Sequence, residues 1–524
     1  MLRSLLAVPI LPALSGIGAH VFLYRHGEWD LATPLLVASY ALVSLTLIAL
    51  ERFQTLCLLG LDPAPGWALG WITYHILGVY GSMLFYRGAL HRLRRFPGPF
   101  CARLSNLYAT SLSFKNLRLY EELDKLHSEY GDYVRIGPTE LSIRDPAGVK
   151  PIYKAQAKTT KGPWYHCLEP RISVQTTRDK AEHARRRRVW DQGFSSSALR
   201  EYEPRVSHFA AQLLKAIENS VGRPMDMTRW SNYYGFDIMG DMAFGQSFEM
   251  LVTGEDAYFL NQMHSDMKSI GLFTHVMWLF PLMKRIPILN NGYMQFWKSL
   301  NSRLQKRIQV RLQGPVAPDL RCTVTGPPAQ NPLSTETDSL SSDTSSATFT
   351  NALFHLAKNP SLAKELQFQL ATLPDLSNDQ LARIDLLDAL IYETLRLHPV
   401  IPSGLQRMTP PEGIMIGKKY IPGDVMVRIP MHTLFREEFI PERWTTRPEL
   451  VKDASAWMPF GGGPYACVGK QFALMEIRRV IADILVRYDI SFAPTQTEAA
   501  FLGGQKDTFT LVAAPLDLIF NERV

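Results

Sequence analysis

Of the chain's five cysteines (Cys57, Cys101, Cys167, Cys322 and Cys467), one stands in a setting that would change its chemistry. The run Phe460-Gly461-Gly462-Gly463-Pro464-Tyr465-Ala466-Cys467-Val468-Gly469 packs three glycines and a proline into a tight turn with unusual backbone angles. An apolar, helix-forming segment (Gln471 to Arg478) follows at once. The Cys467 sulfur therefore lies at a helix N-terminus, where free amides and the helix dipole favour the thiolate. A thiolate held this way suits the proximal side of a haem iron. Gly463 and Gly469 let the backbone approach a flat macrocycle closely, and Phe460 can pack beside the sulfur. A lone cysteine is usually a small buried hydrophobe, but that leaves Phe, Gly, Cys and Gly at these offsets unexplained. The other cysteines show no CxxC or zinc-finger spacing and are too few and scattered for a disulfide framework, which points to a reducing compartment.

The loop resembles the cysteine loop of the cytochrome P450 family, Phe-x-x-Gly-x-Arg/His-x-Cys-x-Gly. The resemblance implies haem b with Cys467 as axial ligand. Tyr465 stands where the family has a basic residue that pairs with a haem propionate. Its hydroxyl can donate a hydrogen bond but brings no charge, so haem binding would lean on other basic groups. Glu393-Thr394-Leu395-Arg396 matches the family's Glu-x-x-Arg, and i,i+3 spacing puts both side chains on one helix face. Taken alone this could be a surface ion pair of little energetic weight. Pro441-Glu442-Arg443-Trp444 lies between that pair and the cysteine loop, as in the family, where Arg443 would complete a Glu393–Arg396–Arg443 network under the haem. His183 and Arg187, four residues apart on a basic helix, have the family's spacing for propionate contacts; a solvated helix face would look the same.

These residues need a scaffold, and the pattern supplies a mainly helical one. Helical periodicity runs over Leu117 to His127, Arg178 to Trp190, Tyr202 to Ser220, Trp230 to Phe244, Asn291 to Leu312, Thr348 to Ala357, Pro360 to Ala371, Asn378 to His398 and Gly469 to Arg487. Strand-like pieces are short: a hairpin at Tyr133 to Ile143 turning at Gly137-Pro138, and clusters at Gly413 to Val427 and Phe509 to Phe520. This predicts an α+β, mainly helical domain, and the resemblance, which covers residues 96–524, implies that it is a haem domain. Pro315 to Ser346 is rich in Ser, Thr, Pro and Asp, and reads as a flexible or truncated segment centred on 315–340.

Residues 1–95 read as a membrane anchor. Leu5 to Leu23, Leu31 to Leu50 and Gly66 to Tyr86 lack Asp, Glu, Lys and Arg until the end of each stretch, and each approaches the ~20 residues that span a bilayer. The first could instead be a signal peptide. The net charge of +7 is concentrated after the third stretch (Arg87, His91, Arg92, Arg94, Arg95) and at Arg185 to Arg188. A membrane flank and an internal helix explain those clusters better than nucleic-acid binding does. The flanking arginines predict a cytosolic haem domain on the endoplasmic reticulum membrane, with Phe96-Pro97-Gly98-Pro99 as a stiff spacer.

The family's oxygen-activating motif, Ala/Gly-Gly-x-Asp/Glu-Thr-Thr/Ser, is best matched by Leu340-Ser341-Ser342-Asp343-Thr344-Ser345. Asp343 and Thr344 would be the acid–alcohol pair that relays protons; at a helix start they could instead cap free amides. The stretch before them, Asn331 to Asp338, is too polar for a buried helix. Met431 to Phe435 also runs almost directly into Glu437-Glu438-Phe439, where the family usually has more residues. The function implied is monooxygenation of a lipophilic small molecule similar to the substrates of fungal secondary metabolism, within a pocket near Trp164, Val400, Ile401 and Leu502. No flavin or nicotinamide fingerprint is present, so electrons would come from NADPH through a separate cytochrome P450 reductase. The alternatives are a haem-thiolate isomerase or dehydratase, or a degenerate haem-binding remnant.

Overall fold

The computed structural model describes residues 9–52, 66–166, 169, 172–313, 340–435 and 438–523. Most of the 315–340 segment, the polar stretch Asn331 to Asp338 and Glu437 lie outside the described residues. Two compact units emerge. One comprises the chain to Thr110 with Val134–Leu141 and His275–Asn291; the other comprises Ser111–Tyr133, Ser142–Thr274 and Gly292 onward.

In the first unit, α1 (Ile10–Ala19), α2 (Thr33–Arg52) and α3 (Trp67–Phe85) come from the three apolar stretches. Two helices, Thr33–Arg52 and Trp67–Leu90, are long and apolar enough to cross a membrane; Ile10–Tyr24 is shorter. α1 and α3 pack through glycines: a Cβ on Gly16 would strike the His75 carbonyl, and one on Gly78 the Ala13 carbonyl. That close approach brings Ser15 Oγ within 2.8 Å of His75 Nδ1 and His20 Nδ1 within 2.8 Å of Ser82 Oγ. Small residues with polar cross-links are how apolar helices associate where no hydrophobic drive separates helix from lipid. The Pro-Gly-Pro spacer is not free. Pro97 O accepts from Arg135 N at 2.7 Å, and buried Arg135 donates to the carbonyls of Arg87 (3.2 Å) and Pro138 (2.7 Å).

The second unit holds α4 (Leu119–Tyr130), α5 (Lys180–Gly193), α6 (Ser196–Glu218), α7 (Met227–Phe244), α8 (Tyr258–Phe273), α9 (Leu340–Lys358), α10 (Pro360–Ala371), α11 (Asp385–Leu397) and α12 (Lys470–Arg487). Starts and stops follow local chemistry: Asp179, Ser195 and Asp226 cap α5, α6 and α7 with side-chain oxygens, and Gly245 ends α7 in a left-handed turn. Phe209 and Leu213 of α6, Phe236 of α7, Leu353 and Phe354 of α9, Leu390 of α11 and Ile477 and Ile481 of α12 share one core. Strands are short. β1 (Thr160–Lys161), β2 (Arg407–Met408) and β3 (Met426–Arg428) pair antiparallel, with Lys161 opposite Arg407 and Arg407 opposite Val427. β4 (Tyr488–Phe492) pairs with β7 (Asp517–Glu522), and β5 (Lys506–Thr508) turns into β6 (Thr510–Val512) at Phe509.

One segment departs from its composition. Residues 340–346 read as part of a loop, yet they open α9, and Ser342, Asp343, Ser345 and Ser346 are buried. Ser345 and Ser346 find partners on neighbouring helices, while Ser342 Oγ and Asp343 Oδ2 have none among the described residues; the residues that follow bond within the helix. Thr348 Oγ1 donates to Thr344 O, Thr350 Oγ1 to Ser346 O and Asn351 Nδ2 to Ala347 O, each at 2.8 Å. Ser346 Oγ donates to Ser231 O of α7 at 2.9 Å, and Gly235 leaves room for it.

Candidate functional site

The cysteine loop is tied down before its helix begins. Gly461 and Gly463 have φ of 70° and 61°, a left-handed region that glycine enters without a Cβ penalty. At Gly463 a Cβ would also lie 2.7 Å from the Lys154 carbonyl. Cys467 N donates to Phe460 O at 2.8 Å. Arg187 Nη1 reaches the Ala466 carbonyl, while its Nε holds Asp191 at 2.7 Å. Gly469 is the N-cap of α12. Cys467 is exposed on one side and enclosed by protein on the others. That enclosure pushes its thiol pKa up, against the pull of the Gly469 amide, Arg187 and Lys470.

Tyr465 sits among cations. Lys161 Nζ lies 4.9 Å and Arg407 Cζ 5.1 Å from its ring centroid, and the His183 ring meets it edge-on at 4.7 Å. Burial, then Lys161, Arg187 and Arg407, lower the His183 pKa to about 4, so this imidazole is neutral at pH 7. The Tyr465 hydroxyl and Arg407 Nε are both buried without a hydrogen-bond partner among the described residues. Orphaned donors of this kind cost free energy unless something accepts from them.

On α11, Glu393 is fully buried and gathers donors from three directions. Arg396 contributes Nε at 2.9 Å and Nη2 at 2.8 Å, Ile440 its amide at 2.8 Å and Trp444 its indole N–H at 2.9 Å, with Arg443 Nε at 3.5 Å. Arg396 also donates to Phe435 O at 2.6 Å and Glu438 O at 2.7 Å. The short connection after Met431 is thus clamped at both ends by one guanidinium.

On α9, Asp343 is buried and Thr344 half-buried. Asp343 Oδ1 faces His264 Nε2 of α8 at 3.3 Å, and Oδ2 has no partner among the described residues. Trp164 stacks on Phe509 at 4.1 Å. With Ile401, Gly271 and Thr274 they line a cavity of about 30 Å³, which has room for about one water. Val400 O accepts from Leu511 N at 2.9 Å, and Leu502 packs against the core.

The family model for cytochrome P450 matches residues 103–315 and 340–520. The chain belongs to the cytochrome P450 family. Among relatives, the cytochrome P450 monooxygenase orf5 of Eupenicillium brefeldianum is 47% identical over 86% of this chain and 96% of its own length. The cytochrome P450 monooxygenase FCK2 of Fusarium pseudograminearum is 43% identical over 97% of this chain and 96% of its own. A tryprostatin B 6-hydroxylase of Aspergillus fumigatus is 31% identical over 97% and 95%. The alignment to FCK2 spans 544 positions, more than this chain's 524 residues, so that relative carries residues absent here. The P450 is accordingly a haem-dependent monooxygenase supplied with electrons by a redox partner.

The residues present fit haem. The Cys467 thiol is exposed, after a loop of three successive glycines. The buried Tyr465 hydroxyl and Arg407 Nε lack acceptors, which a carboxylate would supply. Two residues of this P450 escaped the sequence reading: Lys161 and Arg407. Their signal was faint, a cation in each of two very short strands, and only the β1–β2 register sets both beside Tyr465. Arg187, expected at a propionate, holds the Ala466 carbonyl next to the cysteine through Nη1.

Proposed function

We propose that this P450 hydroxylates or epoxidises a lipophilic secondary metabolite, with Cys467 as the thiolate ligand of haem b. NADPH supplies the electrons through a separate cytochrome P450 reductase. The observation that carries the ligand assignment is the Cys467 thiol, open on one side of a glycine loop and seated at the start of α12. Bound there, haem supplies the redox chemistry that activates dioxygen and transfers one of its atoms to substrate.

The chain's own residues do the rest. The Gly469 amide, Arg187 and Lys470 favour the thiolate over the thiol. Lys161, Arg407 and Tyr465 would receive the propionates, replacing by two neighbouring cations the charge that Tyr465 does not carry; His183 would add a hydrogen bond. Phe460 and Gly463 shape the loop, and Glu393, Arg396 and Arg443 brace the chain beside it. Asp343 and Thr344 on α9 hold and pass protons. The helices α1–α3 and the arginines after Tyr86 support a membrane-anchored enzyme of the endoplasmic reticulum with its haem domain in the cytosol. Relatives named as P450 monooxygenases and as a tryprostatin B hydroxylase support a lipophilic natural product as substrate. The test is Cys467→Ala. It should abolish the thiolate Soret band of the reduced carbon monoxide complex, and a variant that kept the band would overturn the assignment.

A further inference from the structure

The α9 carboxylate has a partner that nothing in the reaction scheme above uses. Asp343 is nearly sealed, its side chain 3% exposed, whereas His264, 3.3 Å away on α8, is 23% exposed. His264 is held edge-on against Phe236 at 6.3 Å between ring centroids. Two polar groups of the same turns of α9 are engaged elsewhere: Ser346 faces α7 through Ser231 O, and Ser345 bonds Glu476 of α12. A buried carboxylate oxygen with no partner among the described residues lies on one side of the acid and an imidazole that reaches solvent on the other. Imidazole is suited to this position, since it can accept a proton at one ring nitrogen and release one from the other.

We infer that His264 is the proton entry of this P450, feeding Asp343 from solvent. The inference rests on reading Asp343 and Thr344 as the proton-passing pair. Water protonates Nδ1 of His264, and the Nε2 proton passes to Asp343 Oδ1. Asp343 protonates the Thr344 hydroxyl oxygen as that hydroxyl gives up its own proton to the reaction. Asp343 and Thr344 return to their starting protonation; His264 is left as its Nδ1–H tautomer and regains Nε2–H by ring rotation and exchange with solvent, so that one proton enters from solvent for each one delivered. His264 acts through Asp343 and is a positioning residue for proton delivery.

Two substitutions separate carrying a proton from holding Asp343 in place. His264→Gln keeps an N–H to hydrogen-bond the carboxylate but cannot shuttle a proton; His264→Phe loses both. The full-length, haem-loaded protein is assayed with reductase and NADPH, with 7-ethoxycoumarin as a lipophilic probe, and the share of consumed oxygen released as hydrogen peroxide is read. Slowing proton delivery ~100-fold, the lower end for a positioned acid–base group, should make peroxide the main product in both variants and in Thr344→Ala, with the carbon monoxide spectrum intact. A Gln variant that matches wild type while Phe leaks peroxide would show a holding role and overturn the inference. Leakage in Thr344→Ala alone would overturn it but leave the Asp343–Thr344 pair standing; no leakage in any variant would overturn both, as would a wild type that releases all its oxygen as peroxide. Independently of turnover, an infrared carboxylate band that disappears in Asp343→Asn should shift in both His264 variants, with or without haem. An unmoved band would dispose of the pair itself.

Discussion

Replacing Glu393 by Gln changes one buried atom type and tests the bracing of the cysteine loop. The carboxylate accepts four hydrogen bonds of 2.8–2.9 Å and faces a second guanidinium at 3.5 Å. In Gln, one oxygen becomes an N–H₂ that points at donors. At least one Arg396 bond and one of the Ile440 or Trp444 bonds are lost, and Arg396 and Arg443 both lose the negative charge of Glu393. Breaking a buried pair from one side costs about 3–5 kcal/mol. Against a typical net stability of about 5–15 kcal/mol, that is a third or more of the total. The expected result is a P450 that expresses poorly, loses haem on gel filtration and melts well below wild type. Glu393→Asp, which keeps the charge but shortens the reach, should fall between. Thermal melting of haem-loaded protein, read at the Soret band, is the assay. A Gln variant within about 0.5 kcal/mol of wild type, the range of an ordinary surface change, would refute the reasoning.

Tyr465→Phe removes an orphaned buried hydroxyl, so the haem-free protein should be stabilised by about 1 kcal/mol, while haem transfer to apomyoglobin should speed up because a propionate donor is gone; both shifts in one direction would contradict the assignment. Burial pushes the Glu476 carboxyl up to about 8 despite its bond to Ser345. Between the unfolded value of about 4.5 and 8 the folded state holds the extra proton, so stability should fall as pH rises through that window. Glu476→Gln should flatten the pH dependence of the melting temperature, and an unchanged slope would refute it. In the anchor, Gly78→Val should force α1 off α3: cysteines at Ser15 and His75 should cross-link under mild oxidation in the parent and not in that variant.

The cysteine loop was legible in one dimension because its parts are local. A glycine turn, a cysteine and the next helix lie within ten residues, so backbone geometry alone predicts a sulfur at a helix start. Glu393 and Arg396 are likewise one helical turn apart. The apolar stretches that become α1–α3 needed only length and hydropathy. What the chain order could not show was what meets what across it. Lys161 and Arg407 are far apart in sequence and reach Tyr465 only through strand register. Arg187 and His183 share a helix face by spacing, yet one takes the Ala466 carbonyl and the other the Tyr465 ring. Composition misled at 340–346, because Ser345 and Ser346 find partners on α12 and α7, where Gly235 leaves room, and so need no solvent. His264 carried no signal at all in the sequence. Its partner is 79 residues away, and only the packing of α8 against α9 turns an unremarked histidine into the neighbour of a buried acid.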